Sequence, residues 1–378
     1  MATPAYGQWE ILEQRVICIR IPLAVERMLL LGKERNYNGF WRSDPALLLV
    51  KAGRLSDTQN EFKRALRETM GIDSAPVSEL RLKINQQLAP FKKGVSGMTN
   101  LYSPHPVALI TGANVGIGRV TAIALATSGY RVVIAGRSLE RTQAVLNEIQ
   151  ALPDSVPAIF IPLNLASLAS VRECVRQFLD LNLPLHLLIN NAGVAGLRGL
   201  TEDGFEMMFG VNHLGHFLLT QLLEPLLHAS GQTRVITVSS RAHKRTPGWD
   251  WTDLQRPTRS WTGIREYANS KLANLLFSAE LARRNQGTGL SCYSLHPGIV
   301  DTEIWRALPS WARPLLRLRG LISAQEGAQT TLHCALYAPH HESGLYYSNS
   351  TPIQPALLGQ NAELASQLWA HSTHWAGL

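Results

Sequence analysis

From Val107 onwards, short runs of apolar, often β-branched residues alternate with longer stretches in which apolar residues recur every three or four positions. The short runs are, in chain order, VALIT, YRVVIAG, AIFIPLNL, LHLLINNAG, RVITVSS and LSCYSLHPG. Apolar strands separated by amphipathic helices are typical of a parallel sheet covered by helices on both faces. The pattern therefore predicts an α/β fold with a doubly wound, parallel-sheet Rossmann domain.

The preceding residues, 1–103, follow another pattern and are interpreted as a small α/β or helical extension of unknown role. The elements predicted in it are strands at 15–21 and 46–50 and helices at 56–71 and 76–88. A linker rich in Gly, Ser and Pro then leads to the Rossmann domain, residues 104–378. Met98 lies within that linker and is a candidate second start.

Composition narrows the class of protein. Of the 378 residues, 45% are hydrophobic and 17% are charged, which indicates a globular protein. The net charge of +8 is not accompanied by a basic run or an aromatic-basic motif, so nucleic acid is not an expected partner. Four widely spaced cysteines indicate reduced thiols. Glu26 and Arg27 interrupt the longest N-terminal apolar stretch, so a soluble, cytoplasmic protein without a signal or transmembrane segment is expected.

The motif TGANVGIG follows the first strand of the Rossmann domain and opens its first helix. In that setting glycines allow a tight turn and a close approach of the backbone to a pyrophosphate, although glycines alone are also compatible with a simple packing role. The candidate cofactor contacts in this motif are Thr111, Gly112, Asn114, Gly116, Ile117 and Gly118. NNAG, at the end of the fourth strand, adds Asn191, Ala192 and Gly193.

Arg137 follows the second strand of the domain, where an NAD-selective protein usually places an acid against the ribose 2′-hydroxyl. Its guanidinium suits a 2′-phosphate instead, which favours NADP(H) as the cofactor. An exposed arginine that merely begins a helix is the alternative interpretation.

Tyr267 and Lys271 lie four residues apart in the helical stretch EYANSKLANLLFSAELARR, so their side chains project from one face. Carbonyl reduction needs a proton for the new alkoxide and a donor that stabilises its oxygen. Tyr267 is the predicted proton donor, and we expect the Lys271 ammonium and an oxidised nicotinamide to lower its pKa. Ser240, favoured over Ser239, is the predicted donor to the substrate oxygen. Asn212 is predicted to hold a water that links the lysine to solvent.

Together, TGANVGIG, NNAG, VNHLGHFLL, VSS and YxxxK resemble the short-chain dehydrogenase/reductase family. LASLASVR, VNHLGHFLLT, YANSKLANLLF, HPGIVDTE and EGAQT are similar to its retinol dehydrogenase branch, which includes WW-domain oxidoreductase-like proteins. The resemblance covers residues 105–378 and implies reversible, usually NADP(H)-linked interconversion of carbonyls and alcohols on apolar substrates. It also implies a catalytic tetrad formed by Ser240, Tyr267, Lys271 and Asn212.

The resemblance extends to three further parts of the site. HPG resembles the family's nicotinamide-flanking turn, which implies cofactor contacts from Pro297 and Gly298. Asn164 stands where the family usually has an Asp that contacts adenine, and its amide can still form a hydrogen bond. The segment EIWRALPSWARPLLRLRGLI (303–322) is interpreted either as an apolar, basic substrate lid or as ordinary helices packed on the core.

We therefore expect an NADP(H)-dependent oxidoreductase that acts on an apolar substrate such as a retinoid, a lipid aldehyde or a ketone. The alternative is a cofactor-binding scaffold or sensor with little turnover, acting through a partner bound by residues 1–103. Peripheral membrane contact and a homo-oligomer are kept as partner hypotheses. The histidine spacing indicates no metal site, so no metal is expected.

Overall fold

The computed structural model describes residues 103–298 and 322–378, together with two strands nearer the N-terminus, β1 (Val16–Arg20) and β2 (Leu47–Lys51). These strands coincide with the first two predicted strands to within one residue and pair antiparallel, with Val16 opposite Lys51. Three predictions lie outside the described residues, namely the helices at 56–71 and 76–88 and the lid segment up to residue 321.

The chain forms two compact units, Met1–Lys92 and Lys93–Leu378. The second unit is built on an eight-stranded sheet. Its strands are β3 (Val107–Thr111), β4 (Arg131–Gly136), β5 (Ile159–Pro162), β6 (Leu187–Asn190), β7 (Thr233–Val238), β8 (Leu290–His296), β9 (Tyr346–Ser348) and β10 (Thr351–Ile353). The order across the sheet is β10-β9-β8-β7-β6-β3-β4-β5, and all neighbours are parallel except the antiparallel pair β9 and β10. The predicted doubly wound sheet is confirmed, with one antiparallel strand added at its edge.

Eight α-helical segments belong to the described part of this unit. They are α1 (Gly116–Thr127), α2 (Leu139–Gln150), α3 (Leu168–Asp180), α4 (Met207–Phe209), α5 (Gly215–Ala229), α6 (Ile264–Arg284), α7 (Ala324–Leu336) and α8 (Ala362–Trp375). A π-helical turn, Gly210–Leu214, joins α4 to α5. No helix in the described residues is both long enough and apolar enough to cross a bilayer.

Two hydrophobic cores sandwich the sheet. Leu109 of β3 contributes to the core formed with α3, α5, α6 and α8, whereas its neighbour Ile110 contributes to the core formed with α1, α2 and α7. Both side chains are fully buried. This burial on both faces explains why the strands read as continuous apolar runs rather than as alternating patterns.

The two edge strands are short, and each contains a proline. β5 has four residues and ends in Pro162, while β10 has three residues with Pro352 at its centre. The Leu163 N–H, one residue further on, donates to the carbonyl of Gly136 on β4. Since successive backbone groups of a strand point to opposite sides, the nitrogen of Pro162 faces away from the sheet.

The winding of the chain reverses between β3 and β6. From β3 the chain adds β4 and β5 on one side, then returns to place β6 on the other side of β3. In open parallel sheets of this kind, ligands bind outside the carboxyl ends of the strands at the reversal. Thr111 and Asn190 end β3 and β6 at that point, next to the segments that carry TGANVGIG and NNAG.

Candidate active site

The glycine-rich turn has the close backbone packing that a dinucleotide cradle requires. Gly112 has a φ of +68°, and a Cβ on it would lie 2.9 Å from the Cβ of Ala192. A Cβ on Gly118 would lie 2.5 Å from the carbonyl oxygen of Gly112. No side chain caps the start of α1, and no acid lies in its first turn. The N–H groups there can therefore receive a pyrophosphate, and this part of the site fits a dinucleotide.

Asn191 binds the glycine-rich turn itself. Its side-chain Nδ2 donates to the carbonyl oxygen of Thr111 at 2.8 Å, and its backbone N–H donates to the hydroxyl of that threonine at 3.0 Å. The Ala192 N–H donates to the same hydroxyl at 2.9 Å. The structure thus brings NNAG and TGANVGIG into contact, with Asn114 and Ile117 half-buried in the turn.

Arg137 lies directly after β4, at the same edge of the sheet as Thr111. Its side chain is exposed and forms no hydrogen bond or ion pair with another described residue. The neighbouring Ser138 begins α2 by accepting the Arg141 N–H at 3.2 Å. The guanidinium therefore remains available to an anionic group of a ligand.

Asn164 uses its amide locally. Its Oδ1 accepts the Ala166 N–H at 3.2 Å, and its Nδ2 donates to Glu202 at 3.1 Å. The side chain is half-buried beyond β5, on the side of the sheet where the resemblance places adenine. An adenine contact from Asn164 stays a prediction.

The residues of the catalytic prediction meet where β7 ends beside α6. Ser240 begins a short 3-10 turn, Arg241–Arg245, and its Oγ accepts the Ala242 N–H at 3.1 Å. Lys271 Nζ donates to the carbonyl oxygen of Val238 at 2.9 Å and lies 5.8 Å from the centre of the Tyr267 ring.

Ser239 has a different role. Its hydroxyl is buried and donates to the backbone carbonyl of Lys271 at 2.6 Å, which ties β7 to α6. Ser240 is consequently the serine of this pair whose hydroxyl can reach Tyr267 and a substrate.

Burial controls the protonation of this site. It raises the pKa of Tyr267 to about 12, and a hydrogen bond between Tyr267 and Ser240 acts in the opposite direction. Burial also lowers the pKa of Lys271, which is 2% exposed, to about 8. The prediction that the pKa of Tyr267 is lowered is wrong for the protein alone, because desolvation of the phenolate outweighs the stabilising contacts. At neutral pH the pair is a protonated phenol beside an ammonium group.

Asn212 lies in the π-helical turn and is fully buried. Its Oδ1 accepts the Val194 N–H at 2.8 Å, while its Nδ2 donates to the Val194 carbonyl at 3.0 Å and to Ser270 Oγ at 2.9 Å. The amide side chain thus joins the segment after NNAG to α6. That Asn212 holds a water beside the lysine stays a prediction.

The turn after β8 places Pro297 and Gly298 at the carboxyl end of the sheet, half-buried. Gly298 has a φ of +92°, and a Cβ there would collide with the side chain of Ile322. Glycine is required at this position, which stands next to the region assigned to the nicotinamide by the resemblance.

Two histidines with no predicted role in the sequence, His243 and His216, lie next to the residues of the candidate site. His243 Nδ1 donates to the carbonyl of Ser240 at 2.7 Å, and its Nε2 accepts the Ala356 N–H at 3.1 Å. His216 contacts both Thr111 and Asn212, and its spacing four residues after Asn212 could have suggested the second contact but not the first. No group of side chains suited to a metal ion occurs in the described residues.

The chain matches the family model of the short chain dehydrogenases over residues 106–252. Dehydrogenase/reductase SDR family member 13 from Bos taurus is 44% identical over 277 residues, which cover 72% of this chain and 73% of that protein. Retinol dehydrogenase 12 from Homo sapiens is 39% identical over 294 residues, with coverage of 74% and 89%. Polyprenol dehydrogenase from Mus musculus is 43% identical over 286 residues, with coverage of 72% and 84%.

A solved structure, of an uncharacterized protein from Mycobacterium Paratuberculosis, superimposes with a TM-score of 0.58 at 33% identity and covers 72% of this chain and 96% of that one. A 3-ketoacyl-(acyl-carrier-protein) reductase from Brucella melitensis, solved in complex with NADH, has a TM-score of 0.51 at 23% identity, covers 64% of this chain and 95% of that one, and shares the fold.

A dinucleotide cradle at the strand reversal, beside a half-buried serine and tyrosine and a buried lysine, defines a Rossmann-fold oxidoreductase. The chain belongs to the short-chain dehydrogenase/reductase family, within its retinol dehydrogenase-like branch.

Proposed function

We propose that the protein transfers hydride between NADP(H) and the carbonyl or alcohol carbon of an apolar substrate. The observation that carries this proposal is the placement of Tyr267 beside the buried ammonium group of Lys271, 5.8 Å from the ring centre, with Ser240 next to both at the end of β7. The substrate class follows from the relatives, two of which are named for retinol and polyprenol, both apolar alcohols.

In the reductive direction the cofactor would supply the hydride, and side chains of the polypeptide would supply the proton and stabilise the developing charge. Tyr267, protonated at neutral pH, donates its proton to the carbonyl oxygen as the alcohol forms. Ser240 donates a hydrogen bond to the same oxygen and stabilises the negative charge that develops there. Lys271 holds a positive charge beside the phenol and favours the phenolate that remains.

We assign binding of the cofactor to the glycine-rich turn, the start of α1 and Arg137, whose geometry supports it. The glycine-rich turn and the start of α1 would hold the pyrophosphate, and Arg137 would pair with the 2′-phosphate that distinguishes NADPH from NADH. The unengaged guanidinium of Arg137 supports this choice of cofactor.

Substitution of Tyr267 by Phe tests the proposal, because it removes the donated proton and little else. NADPH consumption by the purified chain would be followed against retinal, medium-chain aldehydes, steroid ketones and quinones, and then repeated with NADH. We expect NADPH-dependent reduction of apolar carbonyls, a loss of at least about a hundredfold in Tyr267→Phe, and NADPH binding that survives. Tyr337→Phe, at an exposed tyrosine, is the matched control.

Each part of the proposal has its own contrary outcome. Unchanged turnover in Tyr267→Phe contradicts the mechanism, and a preference for NADH contradicts the cofactor. Failure to consume either cofactor with any carbonyl of the panel contradicts the activity and favours the scaffold or sensor alternative.

A further inference from the structure

A buried chain of hydrogen bonds connects the glycine-rich turn to the helix that carries Tyr267. It begins at Thr111, the last residue of β3, and continues through His216 of α5 and Asn212 of the π-helical turn to Ser270 of α6. His216 is 1% exposed, and the other three are fully buried. Polar groups so deep in a protein are retained only when their hydrogen bonds are satisfied.

The Thr111 hydroxyl uses its whole hydrogen-bonding capacity. Its oxygen accepts the backbone N–H groups of Asn191 and Ala192 at 3.0 and 2.9 Å, which leaves it one hydrogen to donate. His216 Nε2 lies 2.8 Å away, whereas the carbonyl oxygen of Ile189 is at 3.4 Å. The hydroxyl hydrogen is therefore directed at the imidazole.

The opposite side of the His216 ring determines its tautomer. Nδ1 lies 2.9 Å from the carbonyl oxygen of Asn212, which can only accept. The hydrogen must consequently be on Nδ1, and Nε2 is free to accept from Thr111. Burial lowers the pKa of His216 to about 4, which keeps the ring neutral as both hydrogen bonds require.

The series of hydrogen bonds continues from Asn212 to the backbone of Tyr267. Asn212 Nδ2 donates to Ser270 Oγ at 2.9 Å, and the Ser270 hydroxyl donates to the carbonyl oxygen of Tyr267 at 2.8 Å. Four hydrogen bonds and the Asn212 residue itself, bonded through both its carbonyl and its amide side chain, thus link the glycine-rich turn to the backbone of the proton donor.

We propose that His216 is a positioning residue that fixes the cofactor-binding turn relative to Tyr267. The kinetic part of this inference rests on the proposed function, since it concerns the alignment of the hydride donor with the proton donor. Such alignment matters because a misplacement of about 1 Å can slow a reaction about a hundredfold. His216 acts only through Thr111 and Asn212.

The first test replaces His216 by Phe, which preserves a ring and removes both hydrogen bonds. Thr111 remains held by Asn191 and Ala192, so the Kd for NADPH is expected to change less than about threefold while kcat falls about tenfold or more. His213→Phe is the matched control, because His213 is as buried as His216 and lies three residues before it, in the π-helical turn, but bonds to Ser372, which is not part of this series of hydrogen bonds. A kcat loss as large in His213→Phe overturns the inference.

A double-mutant cycle with Thr111→Val separates positioning from general loosening. If His216 acts through Thr111, His216→Phe lowers kcat by less than about twofold in the Thr111→Val background, against about tenfold in the unaltered protein. Independent, multiplicative losses overturn the inference.

A measurement on the unaltered protein needs neither turnover nor a folded variant. With 15N-labelled histidine, NMR should show His216 as the Nδ1–H tautomer that stays neutral down to a pH of about 5. An Nε2–H tautomer, or titration near the ordinary value of about 6.5, shows that His216 does not join Thr111 to Asn212 and overturns the inference. If the protein reduces no carbonyl, the proposed function fails, but the NMR result still decides whether His216 joins Thr111 to Asn212.

Discussion

At the scale of single residues, burial rather than spacing sets the pKa values of Tyr267 and Lys271. Tyr267 and Lys271 are four residues apart on a helix, so their adjacency follows from helical geometry. Their pKa values depend instead on burial by distant parts of the chain, which no local pattern contains. For this reason the predicted lowering of the Tyr267 pKa is wrong for the protein alone, and for the complex with an oxidised nicotinamide it stays a prediction.

The same limit applied to His216 and Asn212. Each was visible as a polar residue of VNHLGHFLL, but the partners that give them a role lie about 60 to more than 100 positions away in the chain, as the Asn212–Ser270 and Thr111–His216 bonds show. Tertiary pairing between such distant positions leaves no periodic signal in a single sequence.

Arg137 permits a prediction about cofactor choice. Arg137→Ala removes a cation that is assigned to the 2′-phosphate, so KM for NADPH should rise about 10- to 100-fold while KM for NADH changes little. Steady-state kinetics with both cofactors measure the difference. Arg176→Ala, at an exposed arginine of α3, serves as the control. Equal effects on the two cofactors would contradict the assignment.

At the scale of elements, every strand from β3 to β8 was predicted from its apolar run, whereas β9, β10, α7, α8 and the π-helical turn were not. β9 and β10 have three residues each, too few for a period to appear. The start of α7 could have been found, because Ser323 and Glu326 form a capping box. The π-helical turn of Asn212 has no comparable signature in the sequence.

Helix α8 stabilises the second unit by covering α6. Trp369 of α8 packs against the rings of Phe217 and Phe277, with centroids 5.2 and 5.9 Å away, and the Arg284 guanidinium lies 4.4 Å from its ring centre. The helix is thus a part of the core that faces α5 and α6.

Trp369→Ala should lower the free energy of unfolding by about 3 to 5 kcal/mol, because it leaves a cavity in that core. Trp261→Ala is the matched control, since Trp261 is 92% exposed and its loss should cost less than about 0.5 kcal/mol. Urea unfolding followed by circular dichroism measures both. Equal costs would show that α8 is not integral to the core.

At the scale of the whole molecule, the pH dependence of stability follows mainly from the three buried histidines of the described residues whose pKa values are lowered most; the pKa of buried His243 is lowered too. Burial lowers the pKa of His213 and His296 to about 3 and that of His216 to about 4, whereas an unfolded chain titrates its histidines near 6.5. Below that pH the unfolded state binds protons that the folded state does not. Stability is therefore fully present above pH 6.5 and is lost as the pH falls towards the folded values.

Thermal unfolding at a series of pH values tests this expectation. Between pH 7 and pH 5, each of these histidines should remove up to about 2 kcal/mol of stability, so the melting temperature should fall clearly. His213→Phe should reduce the dependence by removing one of the three groups. A melting temperature that is constant over this range would contradict the expectation.

The prolines in the edge strands of the sheet also have a consequence for how copies of the protein meet. An open edge strand ordinarily presents N–H donors to which a strand of another molecule can add. In β5 the outward position at Pro162 has no such donor, and β10 is only three residues long with Pro352 at its centre. Both edges of the sheet are therefore poor templates for strand addition, which protects the folded domain against edge-to-edge aggregation.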